Sequence, residues 1–193
     1  MGLREEEGKK LLLAARKAIE HYLENGDVPG ALKEVDLDEF GEPRGVFVTL
    51  KKGGELRGCI GFPLPIMPLG KAVVGAAVAA AFEDPRFGPV RKEELGELEI
   101  EISVLTVPEI IAVERPEEYL ERIKVGRDGL IIEFMGYSGL LLPQVPVEQG
   151  WGAEEYLGHL CMKAGLPADT WKEQPVVIKS FQAEIIREGE DGA

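Results

Sequence analysis

Three observations predict an α+β fold with a mainly antiparallel sheet and packed helices. Strand-like runs are joined by short turns, helical patterns stand in separate blocks, and no repeat or low-complexity linker divides the chain. With 193 residues, 45% of them hydrophobic, the chain is long enough for one domain, or two small subdomains sharing a core, without disulfide staples.

Leu11, Leu12, Ala14, Ala15, Ala18, Ile19, Tyr22 and Leu23 recur at three- and four-residue spacing and predict an amphipathic helix over about 4–24. Asn25-Gly26 closes it, because both residues tolerate the left-handed conformation. Residues 27–44 carry acid, Pro and Gly without periodicity and read as a surface connection. Strands follow at 46–50 and 56–60, joined across Gly53-Gly54. A two-residue turn there would set Val48 opposite Cys59 and mix apolar with polar faces. A three-residue loop ending at Glu55 aligns Val48 with Ile60 and Thr49 with Cys59, and is the expected register.

Pro63, Pro65 and Pro68 break the chain, and 72–82 is Ala/Val-rich on every face, as a buried helix in close backbone contact with its neighbours would be. Asp84-Pro85-Arg86-Phe87-Gly88-Pro89 is a rigid loop. Leu98, Ile100, Ile102 and Val104 alternate with Glu99, Glu101 and Ser103, which predicts a half-buried strand with a solvated or functional second face. Beyond it the pattern predicts a short helix over 117–122 and a hairpin of 123–125 with 130–134. A strand over 137–142, a helix over 153–164, a last strand over 176–187 and a frayed acidic end from Glu188 follow.

Composition excludes several functions. Net charge is −13, the opposite sign from a duplex-binding footprint, so nucleic acid is not an expected partner. The longest nearly uncharged apolar run, 72–82, is shorter than the ~18–20 residues of a membrane span, and the start lacks the apolar core of a signal peptide. A cytoplasmic protein is expected. Two cysteines make no disulfide framework, and His, Cys and carboxylates show no metal-ligand spacing, so no metal site and no particular cofactor is indicated. One Asn and four Gln against 28 Glu is a thermophile-like composition.

The segment with most chemical potential is Leu56-Arg57-Gly58-Cys59-Ile60-Gly61. Strand alternation turns Leu56 and Ile60 to the core and sets Arg57 and Cys59 on the other face, ~6–7 Å apart. Gly58 and Gly61 flank the thiol and permit a ligand or backbone to come close. A guanidinium beside a thiol favours the nucleophilic thiolate. The alternative is that Cys59 is a small buried hydrophobe and Arg57 a paired surface charge. In the Asp84-Pro85-Arg86-Phe87 turn, Arg86 could reach an anion, or Asp84 could simply hold the turn and Arg86 brace another segment. In Pro143-Gln144-Val145-Pro146-Val147-Glu148-Gln149-Gly150-Trp151, Glu148 is a candidate proton carrier and Trp151 a stacking wall or a core residue. His21 reads as a surface group; His159 and Cys161 at i, i+2 do not share a helix face, and Cys161 reads as packing.

The Leu56–Gly61 motif, then Asp84-Pro85-Arg86-Phe87, the strand from Glu101 to Thr106, Leu142-Pro143-Gln144-Val145 and Glu148-Gln149-Gly150-Trp151 together resemble the AMMECR domain family in order and spacing, over about 11–188. The resemblance implies a single α+β domain of two subdomains, with the motif residues gathered near a shared cleft. It assigns no reaction to Cys59. It carries over only motif membership for Arg57, Cys59, Asp84, Arg86, Glu148 and Trp151. His159 lies outside those motifs, which counts against a Cys–His mechanism. Microbial relatives are often encoded beside a Memo-like protein and a radical SAM protein, which implies those as pathway partners.

Two functions remain in contention. One is an enzyme with catalytic Cys59 and Glu148 acting on a small anionic or peptide-like substrate held by Arg57, Gly58, Gly61, Asp84, Arg86 and Trp151. The other is a non-catalytic module that binds a small molecule or protein partner through the same residues.

Overall fold

The computed structural model describes residues 3–189. Along the chain the regular elements are α1 (Glu5–Asn25), β1 (Val46–Lys52), β2 (Glu55–Phe62), α2 (Leu69–Phe82), β3 (Leu98–Leu105), β4 (Glu109–Ile110), α3 (Tyr119–Arg122), β5 (Gly129–Phe134), β6 (Tyr137–Leu141), α4 (Gln144–Gln149), α5 (Ala153–Lys163), α6 (Thr170–Glu173), β7 (Val177–Phe181) and β8 (Ala183–Arg187). The fold is α+β, with two four-stranded antiparallel sheets and helices packed on them. Among the described residues no helix is long and apolar enough to cross a membrane.

The chain forms two compact units, one of residues up to Leu105 with those from Glu184 onward, the other of Thr106–Ala183. In the first unit the strand order is β2-β1-β3-β8, so β2 is an edge. Val46, Val48 and Leu50 of β1 and Ile100, Ile102 and Val104 of β3 are all buried in one core with Leu11, Ala15 and Ile19 of α1 and the alanines of α2. Each large aliphatic side chain sealed this way contributes roughly 1.5–3 kcal/mol of burial. Residues 27–44 run mostly along the surface, as expected, and are pinned at two points: Val35 and Phe40 enter this core, and Leu37–Phe40 forms a 3₁₀ turn.

The β1–β2 register is the expected one at its centre, with Val48 opposite Ile60 and Thr49 opposite Cys59. It is reached differently. Gly53 and Gly54, at φ 58° and 81°, make a two-residue turn that pairs Lys52 with Glu55 and Lys51 with Leu56. A bulge at Arg57 then absorbs one residue, so that Leu50 faces Gly58. The bulge reverses parity on its turn side, which is why Leu56, expected in the core, is 42% exposed. Strict alternation does not run from Arg57 to Cys59.

The second unit's sheet has the order β4-β7-β5-β6, and Leu130, Ile132, Tyr156, Leu157, Leu160, Cys161, Trp171 and Ile178 fill its core. The expected 123–125 strand is absent. There the Lys124 carbonyl accepts from the Asp128 N–H at 2.9 Å and the Lys124 N–H donates to the Asp128 carboxylate at 2.8 Å, so these polar groups close a local turn instead of a ladder. The hairpin lies one turn later, at Met135-Gly136, where φ is 47° and 86°. The long final strand is also two. Gln182 leaves the ladder because its N–H donates to Thr106 Oγ1 at 2.9 Å and its carbonyl accepts from Thr106 N–H at 2.8 Å; β7 and β8 therefore join different sheets. Glu188 is not frayed: Arg16 Nε donates to it at 2.8 Å, and it accepts from Ile100 N–H at 3.0 Å. The rest of the acidic end lies outside the described residues.

Candidate functional site

Cys59 sits at the middle of edge strand β2, half-buried, with its side chain on the sheet face opposite the core. Its Sγ accepts a hydrogen bond from Thr49 Oγ1 at 3.3 Å, across the β1–β2 pair. Its N–H donates to Asp84 Oδ2 at 2.9 Å, and its carbonyl accepts from the Arg86 guanidinium at 3.4 Å. The loop after α2 thus runs beside β2 and grips Cys59 by both backbone groups.

Asp84 is only 4% exposed. Its carboxylate also accepts from Arg86 N–H at 3.1 Å, Arg86 Nε at 3.0 Å and Arg86 Nη2 at 2.7 Å. The Arg86 side chain, with help from the two backbone donors, holds the Asp84 carboxyl far below the usual carboxylate range against the cost of burial. Arg86 keeps half its surface in solvent, and its charge lies within electrostatic range of the Cys59 thiol.

Arg57 is committed within the fold. Its Nε and Nη2 each donate to Glu94 at 3.0 Å, Nη1 donates to the Gly88 carbonyl at 3.0 Å and Nη2 to that of Pro89 at 3.3 Å. That pairing, with a backbone bond from Arg91, lowers the Glu94 carboxyl to about 2. The glycines serve internal approaches as well. A side chain at Gly58 would strike the Ala80 carbonyl oxygen of α2 at 2.1 Å, and one at Gly61 would meet the Val46 carbonyl at 2.2 Å and the Phe47 ring at 2.5 Å.

Thr49 faces Cys59 on one side and Glu101 of β3 on the other, so thiol, hydroxyl and carboxylate form a row across three strands. Partial burial opposes ionisation of Glu101. Ion pairs from Arg187 Nε at 2.8 Å and Lys51 Nζ at 3.0 Å outweigh it and leave the carboxyl below its usual range. Thr49 and Glu94 lie outside the sequence motifs, and Glu101 opens one of them without a role attached. The Glu99/Glu101/Ser103 alternation marked the face, and the Thr49–Cys59 register was readable, but nothing local marks Glu94 as the partner of Arg57.

Glu148 and Trp151 belong to the second unit. Glu148 is exposed on the short helix α4, and Trp151 follows Gly150, whose φ of 71° ends that helix. The Trp151 ring is half-buried and stacks on His159 with centroids 3.7 Å apart and planes 7° from parallel. His21 is paired with Asp27 at 2.9 Å on the surface of the first unit. Cys161 is fully buried, and burial pushes its thiol up. Among the described residues no group of three or more His, Cys, Asp or Glu could hold a metal ion.

Fold and site together define an α+β protein of two antiparallel sheets, with a thiol held on the polar face of an edge strand. The chain belongs to the AMMECR1 family, whose model matches residues 12–186. Protein MJ0810 of Methanocaldococcus jannaschii is 54% identical over 187 residues, 96% of this chain and 92% of that protein. Protein MK0488 of Methanopyrus kandleri is 51% identical over 192 residues, 96% and 90% of the two chains. The crystal structure of uncharacterized protein PH0010 from Pyrococcus horikoshii superimposes with a TM-score of 0.84 at 50% identity, covering 97% of this chain and 94% of that one. The relatives are from thermophiles, in keeping with the composition.

Proposed function

We propose that this protein acts through Cys59 as a thiol nucleophile toward a small anionic or peptide-like substrate. The observation that carries the reading is the Thr49 hydroxyl donating to Cys59 Sγ at 3.3 Å, with the thiol only partly buried on its sheet face. A hydroxyl in that position supplies a hydrogen bond to the thiolate when it forms. The thiol proton passes to solvent, the sulfur lone pair bonds an electrophilic carbonyl carbon, and the displaced π pair rests on oxygen. Arg86 is the cation best placed to attract an anionic substrate, because half its surface is open to solvent.

The test is labelling of the native protein with N-ethylmaleimide followed by peptide mapping. Cys59 is expected to react in the native state and Cys161, at 0% exposure, only after unfolding. Labelling of both only in denaturant removes the reading.

A second reading, binding without chemistry, has its own support. Among the described residues the thiol's hydrogen-bond partner is Thr49, a donor, and no base accepts the thiol proton. Under this reading Cys59→Ser retains ligand or partner binding while Arg86→Ala weakens it. A Memo-like protein and a radical SAM protein are the partners to offer first in a pull-down. Loss of binding in Cys59→Ser argues for the thiol chemistry instead.

A further inference from the structure

We infer that Asp84 is the positioning residue of the Cys59 thiol, its carboxylate standing in for the strand that β2 lacks on its open side. The inference rests on the reading of Cys59 as the reacting group. In an antiparallel pair, residues directly opposite alternate between those that exchange backbone bonds and those whose backbone groups point outward, and the latter have the closer side chains. Cys59 is of the second kind, since its N–H and C=O both point away from β1, to Asp84 and Arg86. On an inner strand the next strand would take those groups. Here the strand order ends at β2, and two residues of one turn take them.

The close Thr49–Cys59 side-chain contact therefore exists at the same pair whose outward backbone groups the turn holds. Asp84 is suited to this role in a way that turn-holding alone does not require. One oxygen takes the Arg86 N–H and Nε inside the turn, whereas the other, besides accepting from Arg86 Nη2, reaches across to Cys59 N–H, 25 positions away in sequence. With the side chain 2% exposed, water is kept from the carboxylate that receives the Cys59 N–H, so strand and turn are joined directly. Its charge also engages Arg86, whose guanidinium reaches the Cys59 carbonyl and lies in range of the thiol.

The experiment compares Asp84→Ala, Asp84→Asn and the control Arg16→Gln in the full chain. Arg16 braces the same unit, and its hydrogen bonds go to Glu188, Leu95 and Leu98. Amide exchange at Cys59 is expected to rise about 10- to 100-fold in Asp84→Ala, the range for losing one hydrogen bond to a charged group, and less in Asp84→Asn, which keeps an acceptor. The pH–rate profile of Cys59 alkylation is expected to move to lower pH in both Asp84 variants, because a negative charge is removed and Arg86 is released. Arg16→Gln is expected to lower stability while leaving Cys59 exchange and the profile within about twofold of wild type. If Asp84→Ala fails to fold, Asp84→Asn carries the comparison. Wild-type exchange and profile in both Asp84 variants overturn the inference, as does an equal profile shift in Arg16→Gln. A wild-type Cys59 inert to alkylation overturns the nucleophile reading instead, and the exchange data then decide the clamp separately.

Discussion

Replacing Gly58 by alanine tests the contact between β2 and α2 that sets the site's inner wall. The added Cβ would lie 2.1 Å from the Ala80 carbonyl oxygen and 3.1 Å from its carbon. Comfortable heavy-atom contact needs roughly 3.5 Å, so strand and helix must separate by about 1 Å or more. The obstacle is backbone in a helix buried on nearly every face, and it cannot swing aside as a side chain would. Overpacking costs typically 1–3 kcal/mol, and this case belongs at the upper end. Reduced freedom of the unfolded chain returns about 0.4–1 kcal/mol, leaving a net loss of about 2 kcal/mol. Gly75→Ala probes the same interface with the opposite expectation. Its Cβ would meet only the edge of the Phe62 ring, at 3.3 and 3.6 Å, and alanine gains about 1 kcal/mol of helix propensity. The two variants should therefore differ by about 2–3 kcal/mol, or roughly 4–12 °C in melting temperature for a chain of this size. Both tryptophans are in the second unit, so fluorescence would follow the wrong part of the molecule. Far-UV circular dichroism in urea, with amide exchange in β2 and α2, is the appropriate assay. Gly58→Ala within about 0.5 kcal/mol of wild type, or Gly75→Ala as costly as Gly58→Ala, would mean that strand and helix are not in this close contact.

Acid should weaken the first unit. Asp84 and Glu94 have folded-state values below their unfolded ones of about 3.9 and 4.3, so their stabilisation is complete above those values and is lost as pH falls, for Glu94 through about 2. Urea midpoints flat from pH 5 to 2.5 would contradict this; in Arg57→Gln the Glu94 share should already be missing at pH 7. The Trp151–His159 stack predicts a red shift of Trp151 emission in His159→Ala, because the indole loses the ring that covers one of its faces; unchanged emission would tell against the stack. Met135 holds φ 47° at the first position of the β5–β6 turn, so Met135→Asn or Met135→Gly should raise stability by roughly 0.5–1 kcal/mol in thermal melts. Equal or lower stability in both would count against strain at that turn.

The elements that were legible in the sequence share one property: their signal is local and repetitive. The apolar spacing of α1, the all-round Ala/Val surface of α2 and the alternation of β3 each describe a face that must be buried. The Val48–Ile60 and Thr49–Cys59 register was legible for the same reason, since only that pairing keeps one face apolar. The loop that delivers it is not legible, because a bulge and a longer turn shift register by the same one residue, and face patterning cannot tell them apart. The 123–125 segment failed differently. Its Ile-Lys-Val pattern suits a strand, but the buried Asp128 carboxylate captured the Lys124 N–H first.

At the candidate site, local pattern alone sets a thiol between two glycines on a strand and a rigid Asp-Pro-Arg turn after a buried helix. It could not determine what those groups touch. Whether Gly58 admits a ligand or a helix, and whether Arg57 faces an anion or Glu94, depends on partners 22 and 37 positions away along the chain. Hydrophobic burial is set by composition along a face and so is written into short stretches of sequence. A hydrogen bond or a steric contact is set by ångström-scale placement of distant segments, and only the folded chain decides it.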